Sequence, residues 1–263
     1  MDETPFDPVS FLRLRDRDLR SEGLFVAEGR LLVARAIESA LEVLCVYADP
    51  ASADEAQDLC GDRIPFRSCL PGELDAIAGF PFHRGMLAVA RRANLPRVLT
   101  PLEGPILILP EITDPGNLGT LLRSALAFDF RSAWIGSRSC DPWNRKCLRA
   151  SMGAVFSLPL YEAESGDCGL LSNDGFSVLA CALEAGALES GPQALSADAA
   201  LAKRVSGGRV ALVLGNEHDG IPPEWRMHCA AAVMVPVSDS VDSLNVAIAG
   251  SILMRDFSPR APR

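Results

Sequence analysis

The sequence has few of the residues that mark metal-binding, secreted or membrane-spanning proteins. It contains three histidines, and its eight cysteines form no Cys-x-x-Cys pair, so no metal-ligand spacing is present. No apolar run reaches the roughly 20 residues that a membrane-spanning helix needs. No signal-peptide pattern is seen, so the cysteines are expected to be reduced thiols. The composition therefore predicts a cytoplasmic protein with no metal and no membrane segment.

Motifs that bind nucleotide phosphates are also missing. There is no Gly-x-Gly-x-x-Gly turn, which argues against a Rossmann-type oxidoreductase, and no Gly-x-x-x-x-Gly-Lys-Ser/Thr loop. Aromatic residues make up 6% of the chain, so clusters that could stack on bases are sparse. The formal net charge of −9 disfavours tight non-specific binding to nucleic acid. Any such binding would depend on local clusters of arginine.

What the chain does contain is a long alternation of apolar runs and turn signals over 263 residues, 48% of them hydrophobic. Residues 1–92 predict a small N-terminal α/β domain. Residues 93–104 hold two prolines and several turn-forming residues, which is typical of a linker. Residues 105–263 predict a second α/β domain, because continuous apolar runs such as residues 106–109 are typical of buried parallel strands. Within it we predict, among other elements, strands at 155–160, 176–183 and 232–237 and helices at 143–152 and 244–254.

A first segment of interest follows the strand at 106–109. Residues 114–117, Asp-Pro-Gly-Asn, are a strong turn signal, and a helix is expected to begin near Asn117. Four residues of this helix are expected to face inward: Leu118, Leu121, Leu122 and Ala125. Arg123 lies within the same apolar stretch, where a buried guanidinium would need a partner to offset its desolvation.

Two further segments place polar residues where predicted strands end. Gly215 ends the strand at 210–214 and is followed by Asn216 and Glu217. Ser243 stands where the N-cap of the helix at 244–254 would be, with Asn245 in its first turn. Open α/β sheets bind ligands beyond the carboxyl ends of their strands, so these residues could line a site. Taken singly, Gly215 could be only a turn glycine, Glu217 only a loop acid and Ser243 only a cap.

Together, the segments resemble a known family. The blocks D-P-G-N-L-G-x-x-x-R, L-G-N-E-x-x-G-I-P and V-P-V-x-x-x-x-x-S-L-N-V-A-x-A occur in the order of the SpoU/TrmH branch of the SPOUT superfamily, which contains RNA ribose 2′-O-methyltransferases. R-A-S-M-G-A at 149–154 stands between the first two, as in that family. The resemblance is strong over residues 106–257. F-V-A-E-G-R near residue 25 and H-R-G near residue 83 resemble the family's ribosomal-protein-like substrate-binding domain.

The resemblance implies a fold, a cofactor and partners. A deep trefoil knot would lie around the mostly parallel sheet of the C-terminal domain, and two protomers would form a homodimer that completes each active site. S-adenosyl-L-methionine would be the cofactor and RNA the substrate, with ribosomal RNA favoured over transfer RNA by the extra N-terminal domain. Implied catalytic residues are Asn117, Arg123, Glu217, Ser243 and Asn245. Implied cofactor-binding residues are Leu183, Gly215, Asn216, Val235, Pro236 and Leu244.

Arginine clusters are the candidates for RNA contact. The candidate residues are Arg13, Arg15, Arg17, Arg20, Arg84, Arg145, Lys146 and Arg149. Each could equally be a solvated surface charge, and three acidic residues lie among or beside the first four. The chain also departs from the family pattern. Asp129 stands after the first helix, where glycine is common, and a left-handed conformation is harder for Asp than for Gly. Asp239 and Asp242 add negative charge to the loop before Ser243.

One alternative function remains open at this point. The chain could be a non-catalytic RNA- or cofactor-binding module that keeps the knotted fold. That interpretation would require the loss of Asn117, Arg123 or Glu217, and all three residues are present.

Overall fold

The computed structural model describes residues 16–78, 81–98, 102–182, 187–189, 207–216, 219–238, 240–241 and 243–258. These residues form two β-sheets, one of four strands and one of seven. Within the described ranges, no helix has both the length and the apolar character needed to cross a membrane. The same ranges contain no cluster of His, Cys, Asp and Glu side chains that could hold a metal ion.

The four-stranded sheet belongs to the N-terminal part. Its elements are α1 (Asp16–Ser21), β1 (Leu24–Glu28), α2 (Arg30–Glu38), β2 (Val43–Ala48), α3 (Ala53–Cys60), β3 (Phe66–Ser68), α4 (Glu73–Ala78) and β4 (Met86–Arg91). The strand order is β1-β4-β2-β3, and β4 runs antiparallel to both β1 and β2. β1 is buried along its whole length because both faces of the sheet are covered. Val26 packs on one face with Leu19 and Tyr47, and Phe25 packs on the other.

The seven-stranded sheet belongs to the C-terminal part. Its elements are β5 (Ile106–Leu109), α5 (Pro115–Ala127), β6 (Ser132–Gly136), α6 (Arg145–Ala150), β7 (Leu160–Ala163), α7 (Cys168–Asn173), β8 (Ser177–Cys181), β9 (Leu188–Glu189), β10 (Val210–Leu214), α8 (Pro223–Arg226), β11 (Ala231–Met234) and α9 (Val246–Asp256). The strand order is β7-β6-β5-β10-β8-β11-β9, and every pairing is parallel. The chain therefore changes direction along the sheet between β5 and β10, where ligands commonly bind.

Three predicted boundaries in this part were wrong. The helix predicted at 143–152 begins at Arg145, because the side chain of Asn144 caps it by accepting from the Lys146 N–H at 2.9 Å. It ends at Ala150, since Met152 and Gly153 have positive φ. The strand predicted at 155–160 is instead a 3-10 turn over Ala154–Phe156, and β7 begins only at Leu160.

Two more predicted strands are shorter than expected. The strand predicted at 232–237 is β11, which ends at Met234, two residues before Pro236. Proline has no N–H for a sheet ladder, so the strand cannot continue through it. The strand predicted at 176–183 is β8, which ends at Cys181. The ends of β8 and β11 are important for the site, because the chain leaves the sheet there and the residues at these ends line a cleft.

The two parts share one hydrophobic core. The ring of Phe25 on β1 lies 4.9 Å from that of Trp143 and 5.6 Å from that of Phe156, measured between centroids. Phe25 and Trp143 belong to the same buried cluster as residues of β5, α5 and α9, and the partly buried Phe156 packs against it. The division into residues 1–92, 93–104 and 105–263 stays a prediction, and the shared core indicates that the two sheets stabilise each other.

Candidate active site

A cleft of about 300 Å³ opens at the carboxyl ends of three neighbouring strands, β8, β10 and β11. Its floor is formed by the last residues of those strands, and one wall by the α9 residues Val246, Ala249 and Leu253. Cys181 at the end of β8 also lines it, and burial raises the pKa of this thiol. The thiol is therefore neutral near pH 7, and the cleft is mostly apolar.

Most of the described residues predicted to bind a cofactor line this cleft. They are Gly215, Asn216, Val235 and Leu244, together with Ser243 from the predicted catalytic set. Pro236 is exposed and is not among the lining residues. Leu183 lies outside the described residues, as do Glu217, Asp239 and Asp242.

The loop after β10 folds back tightly on Gly215. The backbones of Asn216 and Gly220 exchange two hydrogen bonds, of 3.1 and 3.2 Å. The side-chain oxygen of Asn216 also accepts from the Asp219 N–H at 2.6 Å. A Cβ built on Gly215 would overlap the backbone of Gly220 and Ile221. Only glycine fits at this position, because the returning backbone occupies the space of a side chain.

A second structural feature of the site is the start of α5. Asp114 is the N-cap of this helix, and its side chain accepts from the Asn117 N–H at 2.9 Å, with Pro115 at the first helical position. Lys146 Nζ donates to the same carboxylate at 2.6 Å. These two contacts hold the pKa of the Asp114 carboxyl below its ordinary value of 3.8. The helix thus begins two residues before Asn117, and the Asp-Pro signal for this start was present in the sequence.

The start of α9 lies beside the start of α5. Asn245, not Ser243, is the N-cap of α9, so the predicted cap was wrong by two residues. The Asn245 side chain accepts from the Ala247 and Ile248 N–H groups at 2.9 and 3.3 Å. Its amide nitrogen donates to Asn117 Oδ1 at 3.1 Å. Two of the predicted catalytic residues are therefore in direct contact.

Arg123 lies on a different face of α5 from the one expected. Leu118, Leu121, Leu122 and Ala125 are buried as predicted, but Arg123 is exposed. The expectation that this guanidinium would be buried and need a partner was wrong, because it points away from the apolar face. It follows Asn117 by six residues, which is about 9 Å along a helix axis. It is therefore open to a ligand that approaches from outside the chain.

Comparison with known proteins identifies the family to which this fold and cleft belong. The family model described as the SpoU rRNA methylase family matches residues 104–255. An uncharacterized tRNA/rRNA methyltransferase of Mycobacterium bovis is 31% identical to 94% of this chain, over 88% of its own length. The chain belongs to the SpoU rRNA methylase family. The family predicted from the three sequence blocks is confirmed.

Two other kinds of relative are informative. The 23S rRNA (guanosine-2′-O-)-methyltransferase RlmB of Escherichia coli is 29% identical over 69% of this chain and 73% of its own. An rRNA methyltransferase of Sinorhizobium meliloti, solved with AdoMet bound, superimposes with a TM-score of 0.74 at 23% identity, over 95% of this chain and 92% of its own. The SpoU methyltransferase AviRb of Streptomyces viridochromogenes, also solved with AdoMet, gives 0.77 at 20%, over 95% of each chain. At these identities the two structures show the shared α/β fold.

The arginines predicted to contact RNA have different environments in this SpoU family member. Arg13 and Arg15 lie outside the described residues, and Arg20 is exposed. Arg84, Arg145 and Arg149 all converge on one buried carboxylate, that of Glu28. Sequence reasoning missed Glu28, although its place in F-V-A-E-G-R was noted, because nothing local indicates that a strand-end acid will be buried.

The departures from the family pattern have small structural effects where they can be seen. Asp129 adopts the left-handed conformation, with φ of 61°, so it takes the place of the common glycine after α5.

Sequence reasoning also missed two small residues that let helices approach. A Cβ on Gly119 of α5 would overlap the backbone of Cys147 in α6, and one on Gly250 of α9 would overlap Leu121 and Leu214.

Proposed function

We propose that this SpoU family member transfers a methyl group from S-adenosyl-L-methionine to a ribose 2′-hydroxyl of RNA, with ribosomal RNA favoured over transfer RNA. The observation that carries the proposal is the strand-end cleft with the Asn117–Asn245 pair at the adjoining helix starts, in a chain of this family. The names of two relatives support it, because RlmB acts on 23S rRNA as a guanosine-2′-O-methyltransferase and the Mycobacterium relative is called a tRNA/rRNA methyltransferase.

The residues of the cleft fit the proposed cofactor. Apolar side chains such as Leu214, Val233 and Leu253 suit an adenine ring, and backbone N–H and C=O groups after the strand ends suit its polar edge. Gly215, Asn216, Val235 and Leu244 would hold it, with Leu183 and Pro236 as further predicted contacts. When bound, S-adenosyl-L-methionine supplies a methyl group on a positively charged sulfur.

The chain's own polar residues would position and activate the hydroxyl. The exposed Arg123 would stabilise the negative charge that develops on the ribose oxygen as its proton passes to an RNA phosphate or to water, because a guanidinium stays protonated near neutral pH and is a poor base. Asn117 and Glu217 would orient Arg123 or the ribose. Asn245 would hold Asn117, and Ser243 would position the backbone beside the cleft. The alternative is a non-catalytic RNA- or cofactor-binding module that keeps the same fold.

The same proposal includes a homodimer and a trefoil knot in the C-terminal part. Ile248 on α9 is 54% exposed and Val241 is 50% exposed, so both offer apolar surface to a second protomer. A second protomer that covers them would also bring its own residues towards the exposed Arg123. Sedimentation of the full chain tests this, since a monomer at micromolar concentration would contradict the dimer.

Methyl transfer to deproteinised RNA tests the function. We expect label from tritiated S-adenosyl-L-methionine to enter ribosomal RNA more than transfer RNA. The product should resist alkaline hydrolysis at the labelled nucleotide, because a methylated 2′-oxygen cannot attack the neighbouring phosphate. Label released in alkali-sensitive nucleotides would mean base methylation, and no label with either RNA would favour the binding module.

Two variants distinguish cofactor binding in the cleft from the catalytic step. Ala249→Leu extends a side chain from α9 into the cleft, and we expect it to abolish binding of S-adenosyl-L-methionine in calorimetry. Ala127→Leu, at an exposed position of α5, is its matched control. Arg123→Ala should bind the cofactor within a few-fold of the unmodified chain but lose turnover. Turnover that survives in Arg123→Ala would remove Arg123 from the proposed catalytic set.

A further inference from the structure

The carboxylate of Glu28 is buried at the junction of the two parts of the chain. Glu28 ends β1, and its side chain is 3% exposed. A lone buried carboxylate is strongly unfavourable, so a partner is required. Among the described residues Glu28 has three partners: Arg84 Nη1 and Arg149 Nη1 (2.9 Å) on Oε2, and Arg145 Nη1 at 3.9 Å from Oε1.

The cluster contains more positive than negative charge. Arg145 has a second carboxylate, Asp16, whose Oδ1 lies 3.3 Å from its Nε. Among the residues that the structure describes, three guanidinium groups, of Arg84, Arg145 and Arg149, thus face two carboxylates, which sum to a net charge of +1. The formal charge of the whole chain is −9, so this local excess of positive charge is a candidate anion-binding site.

The three arginines differ in how much of each reaches solvent. Arg145 is 16% exposed and is held between Glu28 and Asp16. Arg84 is 45% exposed and Arg149 is 38% exposed. Each of these two uses Nη1 for Glu28, so the outer edge of each guanidinium still presents N–H groups. A planar guanidinium edge matches the paired oxygens of a phosphate.

We propose that Arg84 and Arg149, held together by Glu28, bind a backbone phosphate of the RNA at the junction of the two sheets. The inference rests on the proposed function, because it takes RNA to be the substrate. Glu28 is a positioning residue, since without it the two guanidinium groups would repel each other.

The position of this site relates it to the cleft. Arg149 lies on α6, and α6 packs so closely on α5 that Gly119 has no room for a side chain beside Cys147. α5 carries Asn117 and Arg123. Arg84, by contrast, precedes β4 in the N-terminal part. A phosphate bound by both arginines would therefore fix the RNA to both parts of the chain, next to α5, whose Asn117 contacts Asn245 at the start of α9.

Salt dependence of RNA binding tests the proposal, because each phosphate contact adds about one unit to the slope of log K against log salt. The probe is a fluorescein-labelled RNA hairpin of about 30 nucleotides, and the readout is anisotropy of the full chain at several salt concentrations. We expect Arg84→Gln and Arg149→Gln each to lower the slope by about one and the affinity about 5-fold or more. Arg149→Lys keeps the charge and should keep the slope.

Matched variants exclude a merely structural role. Arg145→Gln, in the same cluster but mostly buried, should lower the melting temperature without changing the slope. Arg67→Gln is the surface control, since Arg67 is 49% exposed, pairs with one carboxylate, that of Glu73, and lies on the sheet edge opposite β1. Glu28→Gln should lower both affinity and slope while all three arginines remain.

The outcomes distinguish this proposal from the proposed function. If the unmodified chain methylates RNA, and both Arg84→Gln and Arg149→Gln keep its slope of log K against log salt, the proposed phosphate site is contradicted. The proposed function is then unaffected. If the unmodified chain is folded yet neither binds nor methylates RNA, the proposed function fails, and the phosphate site fails with it.

Discussion

The side-chain amide of Asn245 donates to Asn117 Oδ1 at 3.1 Å and joins residues 128 positions apart. The other end of the same amide caps α9, because its oxygen accepts from the Ala247 and Ile248 N–H groups. Those backbone groups can only meet an oxygen, so the amide nitrogen has to point at Asn117. One side chain thus fixes the start of one helix and the position of a residue on another.

Substitutions of Asn245 should separate its two roles. Asn245→Asp keeps the capping oxygen but removes the donor to Asn117, so stability should change little while turnover falls. Asn245→Ala removes both, and should also lower the free energy of unfolding by about 1 kcal/mol. Thermal unfolding and methyl transfer measure the two effects. Asn144→Ala, which removes the cap of α6, is the control for a lost cap alone. Equal turnover in Asn245→Asp and the unmodified chain would show that the contact with Asn117 is dispensable.

Gly215→Ala should weaken cofactor binding. Its Cβ would overlap the backbone of Gly220, so the loop that borders the cleft has to move. Calorimetry with S-adenosyl-L-methionine should show at least a tenfold weaker affinity, which corresponds to about 1.4 kcal/mol. Gly169→Ala is the control, because Gly169 lies in α7 with open space around its Cα. Unchanged affinity in Gly215→Ala would mean that this loop is not part of the cofactor site.

Asp114 should make stability depend on pH in the acid range. Its hydrogen bonds with Lys146 and the Asn117 N–H lower the pKa of the folded state below the ordinary 3.8. A lowered pKa means that the stabilisation is complete above that ordinary value and is lost as the pH falls through the folded-state pKa. The melting temperature of Asp114→Asn, which keeps a capping oxygen, should be below that of the unmodified chain at pH 7. The two curves should converge as the pH falls through the folded-state pKa, and curves that stay parallel throughout would contradict the assignment.

Phe25→Ala should destabilise both parts of the chain. Phe25 is 1% exposed and packs on Trp143 across the junction. The loss should be about 3–5 kcal/mol, as for other buried Phe→Ala changes. The three tryptophans all lie in the C-terminal part, so a change in their native emission would report the junction directly. Phe82→Ala, in the separate core of the N-terminal sheet, should destabilise the chain without that change in emission. A native emission unaltered by Phe25→Ala would argue against the shared core.

Local pattern was enough to predict much of the second sheet. The apolar runs at residues 106–109 and 210–214 are β5 and β10, because a strand buried on both faces needs apolar residues at successive positions. The inward face of α5 also follows from its helical periodicity, since Leu118, Leu121, Leu122 and Ala125 are all buried. The family followed from the resemblance of the three sequence blocks, in their order, to those of the SpoU/TrmH branch.

The contacts between segments that are distant in the sequence depend on the tertiary structure. Nothing near Asn245 indicates that its amide meets Asn117, and the cap at Asn245 rather than Ser243 depends on where the chain leaves β11. Nothing near Glu28 indicates that arginines from positions 84, 145 and 149 surround it. By itself, the sequence determined most of the elements, because these depend on local periodicity, and its resemblance to a known family indicated the family and the candidate residues. The contacts among those residues depend on strand order and helix packing, which bring together side chains more than a hundred positions apart.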